Sequence, residues 1–385
     1  MLYAFTGGSD GGGPNGAVVF DGSGNIFGTT HFGGMTQCGG NVGGGCGVVF
    51  ELAPKSGGWA ESALYAFSDS SDGGFPNAGV VLDKNGNLFG TASTGGNFQC
   101  SIGCGVVYEL LKSTGWGEHV LHAFAGSDGQ FPNAVLLQGS NSTFYSTTWF
   151  GGSTGNGTVF SLTPSGSSWM ENVLYSFGGA ADGSAPAAGV IADSAGNLYG
   201  TTYKFDGYND GVAYELQKRS HGSWKDRVLY SFTGQGGGED PYAGLILRSK
   251  RRLYGTTIEG GSNGGGAAFE LTDAHHHWAE RDLHVFGGAG DGSTPYGGLV
   301  ADRAGNLFGT TLFGGTNNSG TVYELSRTRG AWKERILYSF TGGDDGGNPG
   351  GTLTFDSAGN LYGTAGGGQS GNGVIFEIVR AGQPR

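Results

Sequence analysis

Apolar and polar positions along this chain return in one phrase with a period of about 55 residues. Its clearest landmark, L-[YH]-x-F, starts at Leu2, Leu64, Leu121, Leu174, Leu229, Leu283 and Leu337. Every unit reads in the same order. A loop D-G-x-x-P leads into an apolar run such as "AGVVLD" or "GGLVAD". A tight turn D-x-x-G-N follows, then "LYGTT" or "LFGTT", a Gly-rich loop, "GVVYEL" or "GTVYEL", a second turn, and W-x-E-x-x-L-Y-x-F. The apolar run sets Val, Ile and Leu side by side, as a strand buried on both faces requires. In the last segment Trp332, Glu334, Ile336, Tyr338 and Phe340 alternate and share one face of a strand. No helical periodicity occurs.

Four antiparallel strands repeated seven times predict an all-β fold, a seven-bladed β-propeller. The apolar run should line the axis and the Trp strand should lie outermost. The expected blades are 14–67, 76–124, 132–177, 186–232, 241–286, 295–340 and 349–379 plus 1–5, within one domain of residues 1–385. The two ends are complementary. The opening "MLYAF" is an outer strand without its Trp half, and the last unit stops at "GVIFEIVRAGQPR" with three strands. Pairing Leu2–Phe5 beside Val374–Ile378 closes the ring, whereas an open solenoid would leave two raw edges. The clipped first copy also leads us to expect that an upstream leader has been removed.

The tandem phrase D-x-x-G-N-L-[YF]-G-T-T followed by G-x-V-[YF]-E-L resembles the GloVer repeat of bacterial proteins. The likeness extends over all seven units. It implies a propeller-like, exported protein and implies no particular activity. The paired glycines ahead of a Tyr and a Trp are similar to kelch repeats in fold only, and the G-H and W-D signatures of WD40 repeats are absent.

Composition narrows the picture. Gly accounts for 84 of 385 residues, yet 37% of the chain is hydrophobic, with 24 Phe, 16 Tyr and 7 Trp. A disordered chain lacks that apolar content, so the glycines punctuate tight turns. The net charge is −12, and the one basic run is "RSKRR" at 248–252. That balance argues against nucleic acid or an anionic membrane as partner. No apolar stretch is long enough to span a bilayer, and no signal peptide is present.

Residues that recur across the units read as scaffold. The loop aspartates Asp10, Asp72, Asp128, Asp182, Asp291 and Asp345 are expected to accept backbone N–H bonds rather than form a cation-binding ring. The turn aspartates Asp21, Asp83, Asp193, Asp302 and Asp356 lack the later bidentate Glu of a calcium loop and read as hairpin turns. Glu109, Glu215 and Glu324, and Glu118, Glu171 and Glu334, read as cross-strand partners. His122 and His284 stand in the Tyr slot and read as packed residues, and "HHH" at 275–277 reads as a solvated turn. No motif demands a metal or a cofactor.

Cys38 and Cys46 flank the Gly-rich loop of the first unit, and Cys100 and Cys104 that of the second. Disulfides 38–46 and 100–104 are the natural pairing of the three connectivities, and a four-Cys zinc site is the rival. Disulfides would place the protein outside the cytoplasm, extracellular or at the cell surface.

Function is then expected where the repeat is broken. Six tryptophans occupy the outer-strand slot and Trp149 does not. It follows G-T-T, a slot that varies as His31, Ser93, Trp149, Tyr203, Ile258, Leu312 and Gly366. Nearby departures are Phe150, the loop "YKFDGYNDG" with Tyr203, Asp206, Tyr208 and Asp210, and then Glu239, Asp240 and Glu259. These residues, with His31, are expected to bind a saccharide or similar polyhydroxylated ligand on the axial face of a monomer. One rival is a glycan-cleaving enzyme, a glycoside hydrolase or polysaccharide lyase, using the acids of blades four and five. The other is a purely structural surface module. No nucleophile elbow, P-loop, dinucleotide fingerprint or H-E-x-x-H occurs.

Overall fold

The computed structural model describes residues 1–34, 37–38, 41–42, 44–179, 181–203, 210–234, 237–249, 251–274 and 277–380. Of the residues named above, Asp206, Tyr208, His275 and His276 lie outside the described residues.

Seven four-stranded antiparallel sheets follow one another as the blades of a ring. In the first, Val19–Phe20, Ile26–Thr30, Val48–Lys55 and Gly58–Ala66 run from the axis outwards, and the next five repeat the order. The seventh takes Thr354–Phe355, Leu361–Ala365 and Val374–Ile378 from the C-terminal end of the chain and Tyr3–Ala4 from the N-terminal end. Tyr3 pairs with Ile375 and Ala4 with Val374. Leu2 N and Phe5 N extend that ladder to the carbonyls of Ile375 and Gly373 at 2.8 and 2.9 Å. The ring therefore closes as the complementary ends predicted. Among the described residues the only helical elements are three short 3₁₀ turns.

The apolar run does reach the axis, but its paired part is only two residues long in six blades and four, Ile246–Ser249, in the fifth. The residues just before it spend their carbonyls on the neighbouring blade instead. The first Thr of each G-T-T donates its hydroxyl there: Thr29 to Ala78 O at 2.8 Å, Thr91 to Ala134 O at 3.1 Å and Thr147 to Ala188 O at 2.9 Å. Thr201, Thr256 and Thr310 continue the series to Ala243, Gly297 and Gly351. Thr364 returns to Gly16 O at 3.4 Å. These hydroxyls are buried, so the bonds replace water the backbone has lost.

Two further repeats explain the punctuation. The Gly before each third strand abuts the loop Pro of the next blade. At Gly105 a Cβ would stand 2.4 Å from Pro132 Cδ, and at Gly373 a Cβ would stand 2.3 Å from Pro14 Cδ. Both have φ near +90°, where other residues are strained. The outer-strand Trp packs on an aromatic in the second strand of the preceding blade, as Trp169 does on Phe89 and Trp224 on Tyr145.

Several of the repeated acids serve as scaffold in the structure. Tyr65 O–H donates to Asp72 at 3.0 Å while Ser68 N donates to the same oxygen at 2.9 Å. Tyr175 and Tyr338 bond Asp182 and Asp345 in the same way. Each turn Asp caps its hairpin, as Asp83 does by accepting from Asn85 N and Asn87 N. Glu215 accepts from Tyr199 at 3.1 Å and pairs with Arg227 at 3.5 Å. Both disulfides are formed, Cys38–Cys46 and Cys100–Cys104, with Cα–Cα separations of 5.4 and 5.2 Å. No helix among the described residues is long and apolar enough to cross a membrane.

Candidate functional site

At the axis the seven blades leave a cavity of about 630 Å³. The start of the apolar run in each blade supplies much of its wall, as Ala78–Gly79 and Ala188–Ile191 do, and two further sets of positions add side chains that vary from blade to blade. The first is the residue after the loop Pro: Asn15, Asn77, Asn133, Ala187, Tyr242, Tyr296 and Gly350. The second is the residue after G-T-T, of which His31 and Trp149 line the cavity. Main-chain bonds hold the second set in place: His31 N donates to Gly13 O at 3.1 Å, and Trp149 N to Phe131 O at 3.0 Å.

Blades two and three bring polar groups to the wall, and blades three, five and six bring aromatic rings. From blades two and three, Asn77 Nδ2 donates to Ser93 Oγ at 3.0 Å and to Asn133 Oδ1 at 3.1 Å. Ser93 Oγ in turn donates to Asn133 Oδ1. Burial pulls the pKa of the His31 ring below its ordinary value, so the imidazole is neutral at pH 7. Across the cavity, Tyr242 and Tyr296 stack with centroids 4.2 Å apart and planes 29° apart. Tyr203 meets Tyr242 edge-on at 5.7 Å. Burial, then Tyr242, pushes the Tyr296 hydroxyl well above its ordinary pKa, so it remains a hydrogen-bond donor. Trp149 stacks on Phe150 at 5.5 Å and 14°.

Two polar atoms in this wall are unsatisfied. Trp149 Nε1 and His31 Nδ1 are buried and have no hydrogen-bond partner. Buried polar atoms without partners are costly unless something else meets them. Both residues belong to the cavity wall.

The expected acids lie elsewhere. Glu239 and Glu259 pair main chain to main chain, with N–O distances of 2.8 and 3.3 Å. The carboxylates of Glu239 and Asp210 both flank Gly234. Asp240 sits before the loop Pro241 with φ of 60°, the left-handed conformation also found at Phe75, Phe131, Ala185, Thr294 and Asn348. Its backbone N donates to Asp210 O at 3.0 Å, and its carbonyl accepts from Ile258 N at 3.1 Å. Asp240 thus fills a scaffold position of the repeat. Of the expected residues, Trp149 and His31 line the cavity, Phe150 and Tyr203 each touch a lining ring, and none of the four described acids lines it.

Sequence reading missed Asn77, Asn133, Tyr242 and Tyr296. The signal was present in the position after the loop Pro, which varies from unit to unit as the Trp149 slot does.

The Gloeobacter/Verrucomicrobia repeat model matches residues 98–300 and 282–384. A comparison with curated proteins found no match. Among solved structures, one named a "putative 6-phosphogluconolactonase", from Bacteroides uniformis, is 12% identical over 83% of each chain, with a TM-score of 0.51. A second of that name, from Bacteroides fragilis, is 11% identical over 91% of this chain and 94% of its own, with a TM-score of 0.48. A protein of unknown function from Dyadobacter fermentans is 13% identical over 87% of this chain and 95% of its own, with a TM-score of 0.45. Identities this low speak for the fold alone. The family match spans most of the chain, and this protein is a member of the Gloeobacter/Verrucomicrobia repeat family.

Proposed function

We propose that this protein is an extracellular, monomeric binding module that takes a saccharide or similar polyhydroxylated ligand into the axial cavity. The observation that carries the reading is the pair of buried, unsatisfied atoms Trp149 Nε1 and His31 Nδ1 in one wall. The indole N–H is a donor and a neutral imidazole nitrogen can donate or accept, and a sugar hydroxyl can meet either. Stacked aromatics suit the C–H faces of a pyranose, and neutral amides such as Asn77 and Asn133 suit its hydroxyls. The two disulfides support a location in an oxidising compartment. Glycan cleavage is less well supported, because no carboxylate occurs among the described residues lining the cavity.

A glycan array, followed by calorimetry on the best ligand, tests the reading. Truncating an aromatic anchor commonly costs about 2 kcal/mol, so Trp149→Ala should weaken binding about thirtyfold without unfolding the protein. Absence of any glycan binding at millimolar concentration, with Trp149→Ala merely lowering stability, overturns it. Release of reducing ends from the bound glycan would favour the enzyme instead.

A further inference from the structure

We propose that the two blade junctions carrying a histidine are metal sites. His122, Asp128 and Glu171 would hold one divalent transition-metal ion, and His284, Asp291 and Glu334 a second, both of the Zn²⁺ class.

The argument starts from a break in the repeat. At most junctions the Tyr of L-Y-x-F donates its hydroxyl to the Asp of the next loop, as Tyr65 does to Asp72. In units two and five a His replaces that Tyr. The ring Nε2 then stands 3.0 Å from Asp128 Oδ2 in one junction and 2.9 Å from Asp291 Oδ2 in the other. A third group comes from the outer strand of the following blade, Glu171 or Glu334. In each triad the three potential ligand atoms lie within 4.8 Å of one another, and all three residues are half-buried.

Two details make each triad more than a hydrogen-bonded pair. Glu171 Oε1 and Glu334 Oε1 are buried without a hydrogen-bond partner. The second oxygen of each Asp is held by the backbone, Ala125 N to Asp128 Oδ1 at 2.8 Å and Gly292 N to Asp291 Oδ1 at 2.6 Å. Such outer contacts orient a ligand and leave its other oxygen to the ion. One imidazole with two carboxylates is a donor set for Zn²⁺, with a fourth position open to water, whereas Ca²⁺ would seek six to eight oxygens.

The tyrosine junctions sharpen the contrast. Glu61 and Glu118 occupy the same strand position and also have an unpartnered oxygen, beside Tyr3 and Tyr65. A phenol with its proton on is a poor ligand, and a neutral imidazole is a good one. The fold therefore stands without the ion, and the histidines add it. Each ion would join the outer strands of adjacent blades, two to three and five to six, and so stabilise the folded state in proportion to its affinity.

The test uses the repeat as its own control, since His122→Tyr and His284→Tyr restore the residue of the other units. A parent with His275, His276 and His277 changed to Ser removes adventitious binding by that turn. Equilibrium dialysis against Zn²⁺ with elemental analysis should give two equivalents in this parent, one in each single Tyr variant and none in the double variant. Zinc should raise the melting temperature of the parent and leave the double variant unmoved. Glu171→Gln with Glu334→Gln should abolish uptake while melting like the parent in EDTA. Uptake that persists in the double Tyr variant, uptake unaffected by the Gln changes, or no uptake by the parent at micromolar free zinc each overturns the proposal.

Discussion

Thr354 donates its hydroxyl to the carbonyl of Val18 at 2.7 Å, joining residues 336 positions apart in the chain. The bond links the innermost strand of the last blade to that of the first. Ring closure is thus made at the axis as well as at the rim, where Tyr3 O–H donates to Asp10 at 3.0 Å.

The rim contact should dominate stability. Phe5 is fully buried and packs edge-on against Phe50, 5.1 Å away. Burying and then truncating such a ring costs about 3–5 kcal/mol, so Phe5→Ala should show that loss in denaturant unfolding. Deleting residues 1–6 should lower the melting temperature further, because the ladder with Val374–Ile378 goes too. An unchanged melt for the deletion would refute closure by this strand.

A single axial bond is worth less. Thr147→Val keeps the shape of the side chain but leaves Ala188 O without its donor from Thr147, at a cost of about 1–3 kcal/mol. Thermal unfolding of the variant should show the loss. A variant as stable as the parent would mean that another donor replaces Thr147.

Thiol titration of the denatured, unreduced protein should find no free cysteine, and peptide mapping should return the 38–46 and 100–104 pairs. Cys38 and Cys46 are both buried, so reduction should also destabilise the protein, by about 2 kcal/mol for a short loop. Four titratable thiols with bound zinc would contradict the pairing and, with it, the extracellular location.

Stability should fall as the pH rises from the ordinary Glu range to neutrality. Burial, with Asp72 nearby, pushes the Glu118 carboxyl up to about 7, and burial with Asp10 does the same to Glu61. An acid whose pKa is raised on folding binds its proton more tightly in the folded state. Its contribution is complete below the ordinary Glu range and is lost as the pH climbs through about 7. Glu118→Gln imitates the protonated form, so it should melt higher than the parent at pH 8 and about the same at pH 5. Equal melting of the two proteins at both pH values would show that Glu118 titrates normally.

Much of this protein was legible as sequence because its units are built from local rules. Alternation such as Trp332, Glu334, Ile336 assigns one strand face, D-x-x-G-N marks a hairpin turn, and a half strand at each end predicts closure. The disulfides were legible for the same reason, since each pair spans one short loop. The site was legible only in part. Irregularity of the repeat singled out Trp149 and His31, which line the cavity, and also Glu239, Asp240 and Glu259, which do not. What separates them is set by tertiary structure. The position after the loop Pro comes once per blade, and ring closure brings all seven copies to the cavity wall, together with two copies of the position after G-T-T. The Glu239–Glu259 pairing joins the loop before Pro241 to the loop after Thr257, and the left-handed backbone at Asp240 belongs to the first of them; neither lines the cavity. Periodicity determines how many times a position occurs. Only the packing of blade on blade decides which of those copies face one another.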